Sequence, residues 1–391
     1  MIEFQKAYEI VISSFKTLGV ERVDFIDSIG CVLAEDIISD IDMPPFDKSA
    51  MDGYACRLAD LNLDLDVIEL IPAGKAPNKT ISAGECAKIM TGAMVPEGAD
   101  CVIMIEETQE IAKNKIRFTK TITKPNITFR AVDVKKGDTV LKSGTLLQPQ
   151  HIAVLASVGA VKPSVYKKPI VGVISTGDEL VEPQDQPSIS QIRNSNGFQI
   201  IAQIKKMNAI PVYFGIAKDT QESTKNIIEK AIAQCDVIIL SGGVSMGDFD
   251  YVPEVLKNAG VDILFDSIAV QPGKPTTFGR SGNKFFFGLP GNPVSSFNQF
   301  ELLAKPLIYR IMGYEFNPLT VRLPMGVAYN RKKASRLSWI PVLISDQGTV
   351  FPVDYHGSAH IYALSSAHGI VPIAIGQTEL KKGELVDVRQ I

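Results

Sequence analysis

The chain has 391 residues, 45% of them hydrophobic and 21% charged, with a formal net charge of −3. It is long enough to bury several cores, and the charge balance offers nothing for a nucleic-acid surface. No stretch approaches the roughly 20 apolar residues of a spanning helix. The opening segment lacks both a basic region and an uninterrupted apolar run, so no signal peptide is expected. The five cysteines (31, 56, 86, 101 and 235) are scattered and lack C-x-x-C spacing, so we expect reduced thiols and a cytoplasmic location.

In chain order, Phe4, Ala7, Tyr8, Val11, Ile12 and Phe15 have helical spacing and predict a helix within 3–18. Residues 22–40 read as a second helical or mixed stretch. Met43-Pro44-Pro45 cannot continue a helix and marks a hinge. From 46 to 136 short β-type runs (DVIELI, CAKIMTG, ADCVIMIEE, KIRFTKTI) lie between Pro/Gly turns, which predicts a β-rich inserted module. A helix is expected from Pro149 to Val158, closed by Gly159.

Residues 168–312 alternate strand and helix. IVGVIS precedes a helix near 195–207 with Asn194 and Ser195 as caps. VYFGIA precedes a helix at 219–234, where Asp219 and Glu222 suggest a capping box. DVIIL, VDILF and KFFFGL supply further strands, and 294–312 reads as a long helix. This is the pattern of an open α/β sheet, whose ligands bind at the carboxyl ends of the strands. Beyond Asn317 only strands and turns follow (LTVRL, WIPVLI, TVFPV, IVPIA, LVDVR).

Three segments of the α/β region share one design: an apolar strand breaking into a loop of Gly, Ser, Thr or Pro. They are Thr176-Gly177-Asp178-Glu179 after IVGVIS, Ser241-Gly242-Gly243-Val244-Ser245-Met246-Gly247-Asp248-Phe249-Asp250-Tyr251 after DVIIL, and Gly288-Leu289-Pro290-Gly291-Asn292-Pro293-Val294-Ser295-Ser296 after KFFF. Such loops offer backbone N–H groups to an anion. The acids of the first two would repel that anion unless a divalent cation lay between, and Mg2+ wants few carboxylates plus phosphate oxygens. A phosphorylated, metal-associated ligand is the reading. There is no G-x-x-x-x-G-K-[ST], and 242–247 does not fit G-x-G-x-x-G. Lys274, among Gln271-Pro272-Gly273-Lys274-Pro275, can supply positive charge. His356 and His360 are four apart but without a helix pattern or H-E-x-x-H, and surface positions are expected for them.

SAMDGYA, IMTGA, STGDEL, RNSN, SGGVSMGDFDY, PGKP and GLPGNPVSS, in this order, closely resemble the molybdopterin molybdenumtransferase family, which is similar to the E domain of gephyrin. Related α/β domains occur in molybdopterin adenylyltransferase and the competence-damage-inducible proteins. The resemblance implies a multidomain α/β fold: an elongated linker domain (1–45 plus 137–167), an inserted β-rich domain (46–136), an open α/β molybdopterin-binding domain (168–317) and a small β-barrel-like C-terminal domain (318–391). It implies a homodimer whose site receives Asp52 and Thr91 in trans. The implied reaction is Mg2+-dependent release of AMP from adenylylated molybdopterin with insertion of molybdenum from molybdate, the last step of cofactor synthesis. Molybdopterin adenylyltransferase and apo-molybdoenzymes would be transient partners.

Position by position, the resemblance gives Glu179 and Asp250 to Mg2+ and pyrophosphate, and Asp219 and Asp133 more loosely to further acidic roles. Asn194, Ser195, Asn196, Ser241, Gly242, Gly243 and Ser245 would hold the molybdopterin, with Pro290 and Pro293 fixing a rigid loop. SRLSW resembles G-R-x-x-F and GSAH resembles its G-S-x-x partner, so Arg336, Ser358 and Lys274 would form the molybdate pocket. Gln271 stands where many members have the first Lys of K-P-G-K-P, and His368 where the family shows Asn. An adenylyltransferase or pyrophosphatase, or a gephyrin-like scaffold, are the alternatives.

Overall fold

A computed structural model describes residues 1–244 and 251–391. The chain divides into two compact units. One comprises Met1–Ala34, Gly144–Gln148 and Ser164–Ile391; the other comprises Glu35–Ser143 and Pro149–Pro163.

The first unit is organised by a six-stranded sheet in the order Ile210–Ala217, Ile170–Thr176, Val237–Ser241, Lys284–Leu289, Thr277–Ser281, Asp262–Phe265. The first four strands are parallel, and Thr277–Ser281 runs antiparallel to both of its neighbours. The central strands are apolar along their whole length because both faces are covered. Val171, Val173, Ile239, Phe285 and Phe287 join one buried cluster, while Ile174, Ile238, Leu240 and Phe286 join another on the opposite face. The 170–176 strand leads outward to 210–217, whereas 237–241, on its other side, leads on toward 284–289. The sheet therefore reverses its winding between 170–176 and 237–241, which is where open α/β sheets bind ligands.

The helix Ser195–Lys206 begins where the sequence predicts. Asn194 is its N-cap and accepts from the Gly197 N–H. The next helix, Gln221–Gln234, is capped by Thr220 rather than Asp219: Thr220 accepts from Ser223 N at 3.2 Å, and Ser223 Oγ accepts in return from Lys218 N at 3.1 Å. The expected 294–312 helix is Pro293–Gln299, a π-helical segment Phe300–Ala304 and Lys305–Ile311. Pro306 has no N–H for the preceding turn and its ring crowds the carbonyl four residues back, so widening here relieves the helix.

At the N-terminus a helix spans Phe4–Ser13 and ends as the Ser13 and Ser14 hydroxyls both bond to Ile10 O. The helical option for 22–40 is not realised. Its only helical piece is the 3-10 turn Ile26–Ser28, where the Ser28 hydroxyl bonds to Phe25 O and Gly30 follows at φ +72°, and its ends lie in the short strands Val20–Arg22 and Ile37–Ile38. All five expected C-terminal strands form: Thr320–Pro324, Leu337–Ile344, Val350–Pro352, Gly369–Ile373 and Leu385–Gln390. They share one sheet, which Val270–Gln271 joins in parallel beside Leu337–Ser338.

The second unit contains a six-stranded sheet in the order Cys101–Met104, Gly53–Cys56, Glu85–Ile89, Asp64–Ile71, Lys115–Phe118, Thr108–Ala112. The Gly53–Cys56 strand lies inside the SAMDGYA segment. Gly53 is required there, because a Cβ would sit 2.0 Å from Ile103 O on the neighbouring strand. The helix Pro149–Ser157 forms as expected, with Gly159 at φ +69° beyond it. All five cysteines are free and buried. No helix of the described residues is long and apolar enough to cross a membrane.

Candidate functional site

Three adjacent parallel strands end level with one another, since Ser175 pairs with Ser241 and Ser241 with Leu289. The three glycine-rich loops thus leave the sheet side by side, and they line one cavity of about 830 Å3. Its floor is made close-packed by glycine. Gly242 adopts φ +93°, and a Cβ there would lie 2.7 Å from Thr176 O; at Gly243, φ +63°, a Cβ would lie 2.8 Å from Thr176 Oγ1. Gly242 N donates to Leu289 O at 3.0 Å, tying the second loop to the third strand.

Asn196 completes this frame. Its side chain leaves the first turn of the 195–206 helix and donates from Nδ2 to Ser241 Oγ and to Gly291 O, both at 2.8 Å. Its Oδ1 is buried and makes no hydrogen bond among the described residues. Asn194 is 1% exposed, and its amide is committed to the protein. Oδ1 accepts from Ser175 Oγ at 3.0 Å and from Gly197 N at 3.1 Å, and Nδ2 donates to the Tyr213 hydroxyl at 2.8 Å. Tyr213 in turn donates to Glu182 at 2.8 Å, and burial followed by this carboxylate raises its pKa. Ser195 is exposed on the cavity wall at the helix N-terminus, where the positive end of the helix dipole favours an anion. Asn292 and Pro293, at the start of the second long helix, line the same cavity.

Carboxylates face these donors. Glu179 and Asp219 both line the cavity. Gly177, at φ +142°, lets the Glu179 carboxylate fold back on the loop, where a Cβ would meet Glu179 Oε2 at 2.5 Å. Asp178 and Asp219 bond reciprocally, each backbone N–H donating to the other's carboxylate at 3.2 Å. This bond engages Asp219 in place of the cap expected from its sequence position. Asp250 and Ser245 lie outside the described residues. Among the described residues no three His, Cys, Asp or Glu side chains are grouped to hold a metal ion.

Of the remaining sequence-predicted residues, Pro290 and Pro293 line the cavity. Lys274 is exposed and does not line it, although its neighbour Pro275 does. Arg336 lies beside the 270–271 strand and donates from Nη1 to Val270 O at 3.2 Å. Ser358 accepts at its carbonyl from Val294 N at 3.0 Å, which holds the 357–360 turn against the helix that opens on the cavity. Gln271 pairs with Ser338. His368 accepts at Nδ1 from Ile344 N at 3.0 Å. His356 is exposed and His360 half-buried, and their rings stack with centroids 4.8 Å apart.

Asp52 and Thr91 belong to the second unit and are bonded to each other: Thr91 donates to Asp52 Oδ1 from its backbone N at 2.6 Å and from its hydroxyl at 2.8 Å. The backbone bond, then the hydroxyl bond, lowers the Asp52 pKa below the ordinary value. Asp133 N donates to Met43 O, and Asp133 lines a separate cavity of about 450 Å3 in this unit.

Sequence reasoning missed two residues. Arg193 lines the cavity, and its guanidinium donates to Asp185 O at 3.2 Å and Gln186 Oε1 at 3.4 Å. Its place within RNSN was the available signal. Tyr362 also lines the cavity, and nothing in its local pattern distinguishes it.

Three family models match the chain in order: the MoeA N-terminal region (domain I and II) over residues 2–159, a probable molybdopterin binding domain over 172–310, and the MoeA C-terminal region (domain IV) over 325–391. The molybdopterin molybdenumtransferase of Staphylococcus epidermidis is 36% identical over 382 residues, covering 94% of this chain and 90% of that protein. Its Staphylococcus aureus counterpart is 34% identical over 402 residues, covering 99% and 95%. The crystal structure of the molybdopterin biosynthesis MoeA protein from Pyrococcus horikoshii OT3 superposes with a TM-score of 0.87 at 29% identity, over 100% of both chains.

Proposed function

The chain belongs to the MoeA family, and from that premise we propose that it is a molybdopterin molybdenumtransferase, inserting molybdenum from molybdate into adenylylated molybdopterin with release of AMP. The observation that carries this reading is the convergence of three glycine-rich loops and two helix N-termini on one cavity, with Glu179 and Asp219 among its walls. That donor set suits a phosphoanhydride: amide and hydroxyl donors for its oxygens, and carboxylates for a cation bound to it.

Glu179, with Asp250, would hold Mg2+. When bound, the ion supplies charge neutralisation at the pyrophosphate and polarises it toward water. The chain's own groups orient the substrate. Ser195, Gly243 and Arg193 offer donors to phosphate oxygens, and the buried Asn196 Oδ1 is an acceptor still to be matched. Asn194 acts by holding the helix cap, and Asn196 Nδ2 by locking the loops. Pro290 and Pro293 keep the third loop rigid. Molybdate, as substrate, would be taken by Arg336, Ser358 and Lys274, a fork of fixed donors with a neutral donor and an ammonium beside it. With Nη1 committed to Val270 O, Arg336 keeps Nε and Nη2 for the oxyanion. Gln271 contributes a hydrogen bond in place of a charge.

The same reading carries a homodimer in which Asp52 and Thr91 complete the partner's site, the four-domain division at 45, 136, 167 and 317, a cytoplasmic location, and transient contact with molybdopterin adenylyltransferase and apo-molybdoenzymes. The test is single-turnover AMP release across a Mg2+ titration for wild type, Glu179→Gln and Asp250→Asn. Each variant should lose one to a few orders of magnitude, about 1.4 kcal/mol per tenfold. Wild-type rates with unchanged Mg2+ dependence in both variants remove these acids from the mechanism.

A further inference from the structure

The cavity is lined by two kinds of group. Some are polar: strand ends, helix N-termini, Glu179, Asp219 and Arg193. Others are apolar: Leu180, Pro187, Ile192, Ile361 and Tyr362. Among these Ile192 is 58% exposed and Tyr362 80% exposed. Large apolar side chains left open on a concave wall mark a surface that a ligand covers. Tyr362 sits in the 3-10 turn Ile361–Leu364, whose backbone is fixed by Ser365: its N–H and hydroxyl both donate to Tyr362 O, at 3.2 and 2.6 Å. The ring is therefore carried on an anchored turn at the cavity while remaining largely exposed.

A flat, amphipathic ring lining the same cavity as a phosphate-binding floor fits a ligand that joins a planar heterocycle to phosphate. We propose that Tyr362 is a stacking platform for a planar heteroaromatic ring of the substrate, and that it sets affinity for that ring while the loops set affinity for the phosphates. The proposal rests on the functional reading above, which gives the substrate two such rings, an adenine and a pterin.

Calorimetric titration of the full-length protein with AMP, 6-carboxypterin, ribose 5-phosphate and pyrophosphate tests it, for wild type, Tyr362→Ala and Tyr362→Phe. Base–aromatic stacking corresponds to about a tenfold to hundredfold change in affinity. Tyr362→Ala should weaken AMP or 6-carboxypterin by that factor and leave ribose 5-phosphate and pyrophosphate within about twofold. Tyr362→Phe should restore the lost affinity, because stacking needs the ring and not the hydroxyl. The probe that weakens identifies which heterocycle lies on Tyr362. If both heterocycles bind Tyr362→Ala as tightly as wild type, the platform is refuted and the phosphate-site reading stands. If wild type binds none of the four probes, the functional reading falls and the platform with it. Equal weakening of all four ligands also overturns it, since that is the signature of a distorted cavity.

Discussion

Asn196→Ala tests whether one side chain locks the floor of the cavity. Its Nδ2 holds Ser241 Oγ and Gly291 O at 2.8 Å each. Each bond contributes about 1 kcal/mol net, and a buried group left unsatisfied costs about 1–3 kcal/mol. Ser241 is 3% exposed, so no bulk water replaces its lost partner, whereas Gly291 is exposed and its carbonyl can be hydrated. Removing the unpartnered Asn196 Oδ1 gives some of this back. The net loss should be about 1–3 kcal/mol. Trp339, the one tryptophan of the chain, is buried in the same unit and reports its unfolding by fluorescence. In urea the midpoint should fall with an unchanged slope. Single-turnover AMP release should fall about tenfold or more, because displaced donors forfeit about 1.4 kcal/mol of transition-state stabilisation per tenfold. Asn196→Asp should be worse than Ala at neutral pH, since a carboxylate cannot donate and would face the Gly291 carbonyl, and it should recover in acid as the protonated carboxyl regains a donor. A stability change below about 0.5 kcal/mol in Asn196→Ala, with unchanged AMP release, would refute the locking role.

Gly242→Ala, at φ +93° with a Cβ 2.7 Å from Thr176 O, should destabilise by about 1–3 kcal/mol, whereas Gly291→Ala, whose nearest such contact is 3.7 Å, should be near neutral by thermal unfolding. Lys305→Met leaves the buried Glu301 carboxylate without the ammonium 2.7 Å away and should cost about 3–5 kcal/mol, while the double variant Glu301→Leu/Lys305→Met should recover much of that in urea titrations. The Asp52 carboxyl has a lowered pKa, so the Asp52–Thr91 contribution is present above the unfolded-state value and is lost as pH falls through the folded one. Thr91→Val removes the hydroxyl bond at 2.8 Å and should raise the Asp52 midpoint toward its ordinary value in an NMR carboxyl titration; an unmoved midpoint would show that the hydroxyl contributes nothing.

The residues themselves determined much of the frame. Strands covered on both faces carry continuous apolar runs, so IVGVIS, DVIIL and KFFFGL are legible, and their loops belong to the ligand end of an α/β sheet whatever the strand order. The Asn194 cap was legible because its bond to Gly197 N spans three residues. Thr277–Ser281 is not legible as a strand because TFGRS, with Gly279 and Arg280 inside it, becomes one by pairing with 284–289 and 262–265 rather than by its own pattern. The 22–40 stretch carried apolar residues compatible with a helix, yet its ends are held by partners far along the chain, Val20–Arg22 by Ser164–Tyr166 and Ile37–Ile38 by Thr139–Leu141. Tertiary structure alone decided that Asp219 bonds Asp178 while Thr220 caps the helix, that Asn196 reaches Gly291 across 95 residues, and that Arg193 and Tyr362 line one cavity. Local periodicity reports which face of an element is buried; it carries no record of which distant donor, acceptor or ring the folded chain sets against it.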